Sequence, residues 1–283
     1  MKNILIATDF SREAYCALYY ATRLFQDENS TFYIANFFGE KIHASVYSIL
    51  NEEEFSKIPR LQQDSEIACH EILHHIVRDS GLNGKRFELI SSEKKLLEGI
   101  EDLIQSHEID LVVMGTKNHK GTLKSIAGTH TTNVIERALK VPLLIVPREL
   151  EFTPPSHLAF ASELIFELNL KALKIFKKIA LKFNAEITVI HDGEETEVSQ
   201  RQWKNYNTFK AYFEGVPVQL EFSSTHIEIS RSIAEFVRNN KVDMLCMEYY
   251  KHSATGKLFR EPVVEKIDRH LSLPFLILPA KSQ

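Results

Sequence analysis

The sequence predicts an α/β protein made of two tandem doubly wound domains, each with a parallel sheet of five strands. Two observations carry this. The chain repeats itself: IDLVVM at 109–114 returns as VDMLCM at 242–247, VPLLIVP at 141–147 as LPFLILP at 273–279, and NVIERALK at 133–140 as EKIDRHLS at 265–272. The openings also correspond, NILIATDFS at 3–11 against HLAFASELI at 157–165. Within each half, short apolar runs alternate with stretches of helical period, the pattern of right-handed βαβ units. The junction is EFTPPSH at 151–157, where Pro154–Pro155 continues neither a helix nor a central strand, so the domains are expected at 1–150 and 155–283.

Element by element, Ile4–Ala7 is a short apolar run suited to a strand covered on both faces. Ala14, Ala17, Leu18, Ala21, Leu24 and Phe25 then recur at helical spacing, with Ser11 and Glu13 suited to the first turn. A second strand is expected at Thr31–Phe37, and a charged segment leads into a long helix near Leu61–Asp79, stopped at Gly81. Phe87–Ile90 reads as strand three, Leu96–Ser106 as a helix, Asp110–Met114 as strand four, a stretch from about His130 as a helix and Leu143–Val146 as strand five. The second half starts the same series with strands at Leu158–Ala161 and Glu186–Ile190.

Composition narrows the function classes. Apolar residues at 44% and charged residues at 25% suit a globular chain with a real core. A net charge of -4 gives no overall attraction to nucleic acid or an anionic membrane. Cys16, Cys69 and Cys246 are too scattered for a disulfide framework or a metal knuckle. The apolar run before Asp9 is too short for a signal sequence, and no stretch approaches the ~20 apolar residues of a membrane span, so the expected location is the cytoplasm.

In an open parallel sheet a ligand binds beyond the carboxyl ends of the strands, where strand order reverses. Here that joins Ala7-Thr8-Asp9-Phe10-Ser11 to the loop Gly115-Thr116-Lys117-Asn118-His119-Lys120-Gly121, which runs on to Gly128-Thr129-His130-Thr131. Glycine lets backbone N–H groups approach phosphates, and Thr129 and Thr131 stand at a helix start, where free N–H groups and the dipole favour an anion. Lys117, Lys120 and Lys124 add positive charge, while Asp9 offers an acceptor to a base or ribose.

MGTKNHKGTLKSIAGTHTTNVIERALKVPLLIVP resembles the ATP-binding loop and final strand of universal stress proteins, and ATDFS at 7–11 resembles their first turn. The family pattern is Gly, two residues, Gly, nine residues, Gly, then Ser or Thr; Gly115, Gly128 and Thr129 match it, and Asn118 stands where the second glycine belongs. The resemblance covers the chain as two copies and implies the adenine nucleotide alpha hydrolase-like fold, with the copies packed about a pseudo-twofold through the VPLLIVP and LPFLILP strands. It implies a site for ATP, AMP or ADP, with Mg2+ on the phosphates. The residues it points to are Ala7, Thr8, Asp9, Asn36, Met114, Gly115, Thr116, Asn118, Gly128, Thr129, His130 and Thr131. A regulatory or stress-resistance role follows, with an adenine nucleotide as partner, self-association as an option, and ATP hydrolysis slow if present, since no general base stands near these blocks.

The second half departs from the pattern. Glu248 falls at the position of Gly115, Glu163 at that of Asp9, and Arg260-Glu261 at that of Gly128-Thr129, so it reads as a degenerate copy. The alternative is a scaffold that binds no nucleotide and meets a partner or another ligand through its second domain. Trp203, Tyr206, Phe209 and Tyr212 recur every three residues and read as the buried face of a helix or an interface. His70-Glu71-Ile72-Leu73-His74 is a literal HExxH, but no third ligand follows, so no metal site and no catalytic residue is assigned.

Overall fold

The computed structural model describes residues 2–27, 29–46, 57–116, 134, 140–147, 150–223, 229–250 and 273–281. The chain divides into two compact units. One holds the described residues of Met1–Lys117, Asn133–Val141 and Val146–Phe152; the other holds those of Thr153–Gln283 with Pro142–Ile145.

The first unit runs β1 (Asn3–Ala7), α1 (Arg12–Leu24), β2 (Thr31–Phe37), α2 (Gly39–Val46), α3 (Lys57–Ser80), β3 (Phe87–Ser92), α4 (Leu96–Ser106) and β4 (Leu111–Thr116). Its strands lie in the order β3-β2-β1-β4, all parallel. Ile4, Leu5 and Ile6 are fully buried, as a central strand covered by helices on both faces requires. Ser11 caps α1 by accepting the Ala14 N–H at 3.2 Å. The Arg86 guanidinium closes the other end of α1, donating to the carbonyls of Phe25, Gln26 and Ser30. The short helix α2 lies in the segment read from sequence only as charged.

The strand formed by VPLLIVP is β5 (Leu143–Pro147). Its residues Leu143–Ile145 pair antiparallel with β10 (Phe275–Pro279), Phe275 opposite Ile145 and Ile277 opposite Leu143, and so belong to the sheet of the second unit. That unit runs β6 (His157–Ala161), α5 (Leu170–Phe183), β7 (Glu186–Asp192), α6 (Gln200–Tyr212), β8 (Val218–Ser223), α7 (Ile229–Asn239), β9 (Met244–Tyr249) and β10, with strand order β5-β10-β9-β6-β7-β8. Pairing β5 with β10 gives each strand a neighbour where an edge would otherwise be open.

The aromatic stripe of α6 divides between core and surface. Phe209 is fully buried, Tyr206 nearly so, and Trp203 and Tyr212 are half-buried. Phe209 stacks on Phe160 at 4.8 Å and on Phe213 at 4.4 Å, and Phe176 of α5 meets both Phe160 and Phe213. These four rings, all fully buried, lock α5 and α6 onto one face of β6.

Candidate functional site

In the first unit the chain leaves β1, builds β2 and β3 on one side, and returns to place β4 on the other. Strand order therefore reverses between β1 and β4, which pair in register from Ile4 opposite Leu111 to Ile6 opposite Val113. Ala7, Thr8 and Asp9 leave one strand at that point, and Met114, Gly115 and Thr116 end the other. Ala7, Thr8, Met114 and Thr116 are buried, Gly115 is half-buried and Asp9 is exposed.

The turn after β1 is fixed by its own side chains. Thr8 Oγ1 accepts the Phe10 N–H at 3.0 Å, and one Asp9 carboxylate oxygen accepts the Ser11 N–H at 3.0 Å. Phe10 sits at φ 65°, a left-handed conformation held by these bonds and by the bond of the Thr8 N–H to the Ala35 carbonyl. Four residues, Thr8–Ser11, carry the chain from strand to helix.

Gly115 meets a constraint that its motif does not announce. A Cβ there would stand 2.2 Å from the Glu13 carbonyl oxygen and 2.8 Å from the Ala14 nitrogen. The end of β4 and the first turn of α1 touch backbone to backbone, and only glycine permits that.

Asn36, at the end of β2, has both side-chain functions engaged inside the protein. Its Nδ2 donates to the Thr8 carbonyl at 2.7 Å, and its Oδ1 accepts from Ser65 Oγ at 2.9 Å. Ser91 of β3 donates in turn to Ser65. Thr8, Asn36 and Ser65 are all buried, so the relay ties the site turn to α3 and β3 at a depth where a broken bond is costly. Asn36 therefore supports the turn from behind. Sequence reasoning missed Ser65; its signal was a small polar residue four positions before Cys69 on the apolar stripe of α3. Asn118, Gly128, Thr129, His130 and Thr131, with Lys117, Lys120 and Lys124, lie outside the described residues.

The second unit repeats the turn and changes its contents. The Ser162 N–H bonds to the Ile190 carbonyl, Ser162 Oγ accepts the Leu164 N–H at 3.1 Å, and Leu164 sits at φ 55°. Here eight residues, Ser162–Asn169, precede the helix. Gln202 of α6 donates to the Glu163 carbonyl, and Asn205 donates to those of Leu164 and Phe166. The Phe166 ring lies 5.0 Å from that of Tyr250. Glu248, buried at the position of Gly115, accepts the Asn169 N–H at 2.9 Å and the Tyr250 hydroxyl at 2.7 Å. Burial pushes the Glu248 carboxyl up, against the lowering by these two donors. Asn169 is the N-cap of α5, so the start of that helix already holds a carboxylate supplied by the chain itself.

Rival chemistry finds little support. His70, Glu71 and His74 are all exposed on α3, while Cys69 and Ile76 mark its buried side. Among the described residues no group of three or more His, Cys, Asp or Glu side chains is placed to hold a metal ion. The Cys69 thiol is pushed up to about 11 by burial, so it stays a thiol at neutral pH.

The family model of universal stress proteins matches residues 1–147, more than half of the chain. The chain belongs to the universal stress protein family. No curated protein matches it in sequence. Among solved structures it is similar to a universal stress protein from Archaeoglobus fulgidus DSM 4304, at 14% identity over 99% of this chain and 97% of that one, with a TM-score of 0.72. A putative universal stress protein from Pseudomonas aeruginosa UCBPP-PA14 matches at 13% identity over 99% and 94%, with a TM-score of 0.61. At these identities the likeness is one of fold, and it agrees with the α/β architecture of mostly parallel strands. A shorter universal stress protein, solved in complex with cAMP, covers 46% of this chain at 13% identity, with a TM-score of 0.36. No described helix of this universal stress protein is long and apolar enough to cross a membrane.

Proposed function

We propose that this universal stress protein is a tandem pair, with domains at 1–150 and 155–283, that binds one adenine nucleotide in its first domain and serves a regulatory or stress-resistance role in the cytoplasm. The observation that carries the reading is the match of the family model over residues 1–147, a span that contains both the β1 turn and the loop from Gly115 to Thr131. The described half of the crevice suits a nucleoside. Ala7 is a small floor residue, Asp9 is an exposed acceptor at the strand end, and Thr8 and Asn36 hold that turn rigid. Gly128, Thr129, His130 and Thr131 are assigned to the phosphates and Asn118 to the shape of the loop, with Mg2+ neutralising the phosphate charge. No residue is assigned a catalytic step.

The second domain is read as a copy that fills its own crevice, because the Glu248 carboxylate and the longer loop stand where the first domain leaves a short turn and a glycine. The test is to denature freshly purified protein, identify any released nucleotide by mass spectrometry, and titrate ATP, ADP and AMP with magnesium into the emptied protein. The expected result is one nucleotide per chain, lost in a folded Gly128→Asp variant. Absence of both release and binding would overturn the reading in favour of a scaffold that uses the same fold without nucleotide.

A further inference from the structure

The helices α5 and α6 carry charge of one sign. Between them they hold Lys171, Lys174, Lys177, Lys178, Lys182, Arg201, Lys204 and Lys210, and neither contains an Asp or Glu. The chain as a whole is net negative at -4; in the first unit α1, α2 and α3 mix their charges and α4 carries only acidic ones. Helix α3, for example, sets Lys57, Arg60 and Arg78 against Asp64, Glu66, Glu71 and Asp79. The cationic pair is therefore a local feature that the overall composition hides.

Both helices lie on the same face of the second unit, because Phe176 from one and Phe209 from the other pack on the single ring of Phe160. Lys177 bridges them by donating to the Tyr212 carbonyl at the end of α6. With their apolar sides spent on that core, Lys171, Lys174, Lys204 and Lys210 are left exposed, and Lys177, Lys178 and Lys182 are half-buried. Lys171, Lys174 and Lys178 follow at three- and four-residue steps along one stripe of α5, and Arg201, Lys204 and Lys210 are exposed on α6. Acidic residues stand only at the ends of the two helices. Glu167, ahead of α5, is paired with Lys281 at 2.6 Å; Glu186 follows α5, Asp192, Glu194, Glu195 and Glu197 precede α6, and Glu214 follows it.

Apolar side chains accompany the charge. Leu170 and Leu181, at the two ends of α5, are 38% and 51% exposed, and the half-buried Trp203 borders a shallow depression with Lys204 and Asn207. We propose that this face docks the protein on an anionic lipid surface, with the lysines over the headgroups and Leu170, Leu181 and the edge of Trp203 at the interface. The composition favours lipid over nucleic acid. Seven of the eight cations are lysines, point charges suited to a diffuse anionic plane, where phosphodiester recognition favours the guanidinium fork. Trp203 packs at a steep angle against Tyr206 and Phe222, and exposed leucines add nothing on a phosphate backbone.

The test is co-sedimentation of the full chain with phosphatidylcholine vesicles with and without phosphatidylserine. Binding is expected only with phosphatidylserine and should fall as salt rises. Reversing Lys171, Lys174 and Lys204 together to Glu should lower the partition by more than about tenfold, whereas Lys85→Glu on the first unit should leave it unchanged. Leu181→Ser should weaken binding several-fold without altering the salt dependence. Circular dichroism and nucleotide titration confirm that each variant is folded. Equal partition to both vesicle types, unchanged partition of the triple variant, or tighter retention on single- or double-stranded nucleic acid than on phosphatidylserine vesicles would each overturn the proposal.

Discussion

After β1 and after β6 the chain makes the same turn. A hydroxyl, Thr8 or Ser162, accepts the N–H two residues on; the next residue but one, Phe10 or Leu164, sits at positive φ; and the backbone N–H of the hydroxyl residue bonds to the neighbouring strand. The two units differ in what surrounds it. In the first, four residues lead to the helix and Gly115 lets that helix touch the end of β4. In the second, eight residues are needed, and a glutamate at the corresponding strand position reaches across to the helix cap. The length of the turn and the size of the residue facing it have changed together. A side chain at the strand end forces the helix away, and the displaced helix needs both a longer lead and a bridging partner. The second unit keeps the backbone device and changes what surrounds it.

The most direct way to break this comparison is to put a side chain on the first unit's strand end. Gly115→Ala drives a Cβ into the Glu13 carbonyl, and since both contact groups are backbone, neither rotates away. The expected cost is about 3 kcal/mol or more, read as a lower midpoint in urea, with nucleotide retention falling in parallel. A variant as stable as wild type would mean that α1 is free to shift, and the coupling of turn length to residue size would lose its basis.

A smaller effect is expected behind the turn. Asn36 bonds to the Thr8 carbonyl and to Ser65, and at the corresponding place in the second unit His191 meets the Ser162 carbonyl at 3.3 Å and turns its ring edge to Phe222. Asn36 lies opposite Ser91 and His191 opposite Phe222, so a polar relay in one unit corresponds to an aromatic contact in the other. Asn36→Ala removes both bonds and should cost about 2 kcal/mol, again read from the midpoint in urea. If it lowers nucleotide affinity without lowering stability, Asn36 touches the ligand directly and its supporting role is wrong.

These two residues also mark where sequence reading succeeds. Strand β2 and helix α4 fall at the bounds that periodicity gives, Thr31–Phe37 and Leu96–Ser106, because each is a complete apolar pattern with clear ends. The turn Thr8-Asp9-Phe10-Ser11 is legible for a similar reason, since each polar side chain acts within three residues of itself. Helix α2 was not legible: its Gly39 N–H bonds to the Lys94 carbonyl, a contact 55 positions away that no local pattern announces. The partner of Gly115 is likewise on another element, as are the Ser65–Asn36 and Glu248–Asn169 bonds. Glycine at 115 is singled out by its local motif for phosphate, and the geometry gives it a part in helix packing. What fails to appear in the sequence is the set of contacts made across elements, and those contacts decide what each crevice contains.

The subtlest effect lies in the second unit. Glu248→Gln keeps an oxygen for the Asn169 N–H and removes the titration. Burial, the larger influence, raises the Glu248 carboxyl above its ordinary value, so the folded protein holds that proton more tightly than the unfolded chain. Its contribution to stability is then complete below the ordinary carboxylate range and is lost as pH rises through the raised folded value. Wild type should therefore gain stability relative to Glu248→Gln as pH falls from neutral into the acid range, and the variant should be the less pH-sensitive of the two in urea unfolding. A difference that stays flat with pH would mean that Glu248 titrates like a solvated carboxylate. Its bonds to Asn169 and Tyr250 would then be open to exchange with water, and the second crevice would be open to an outside anion.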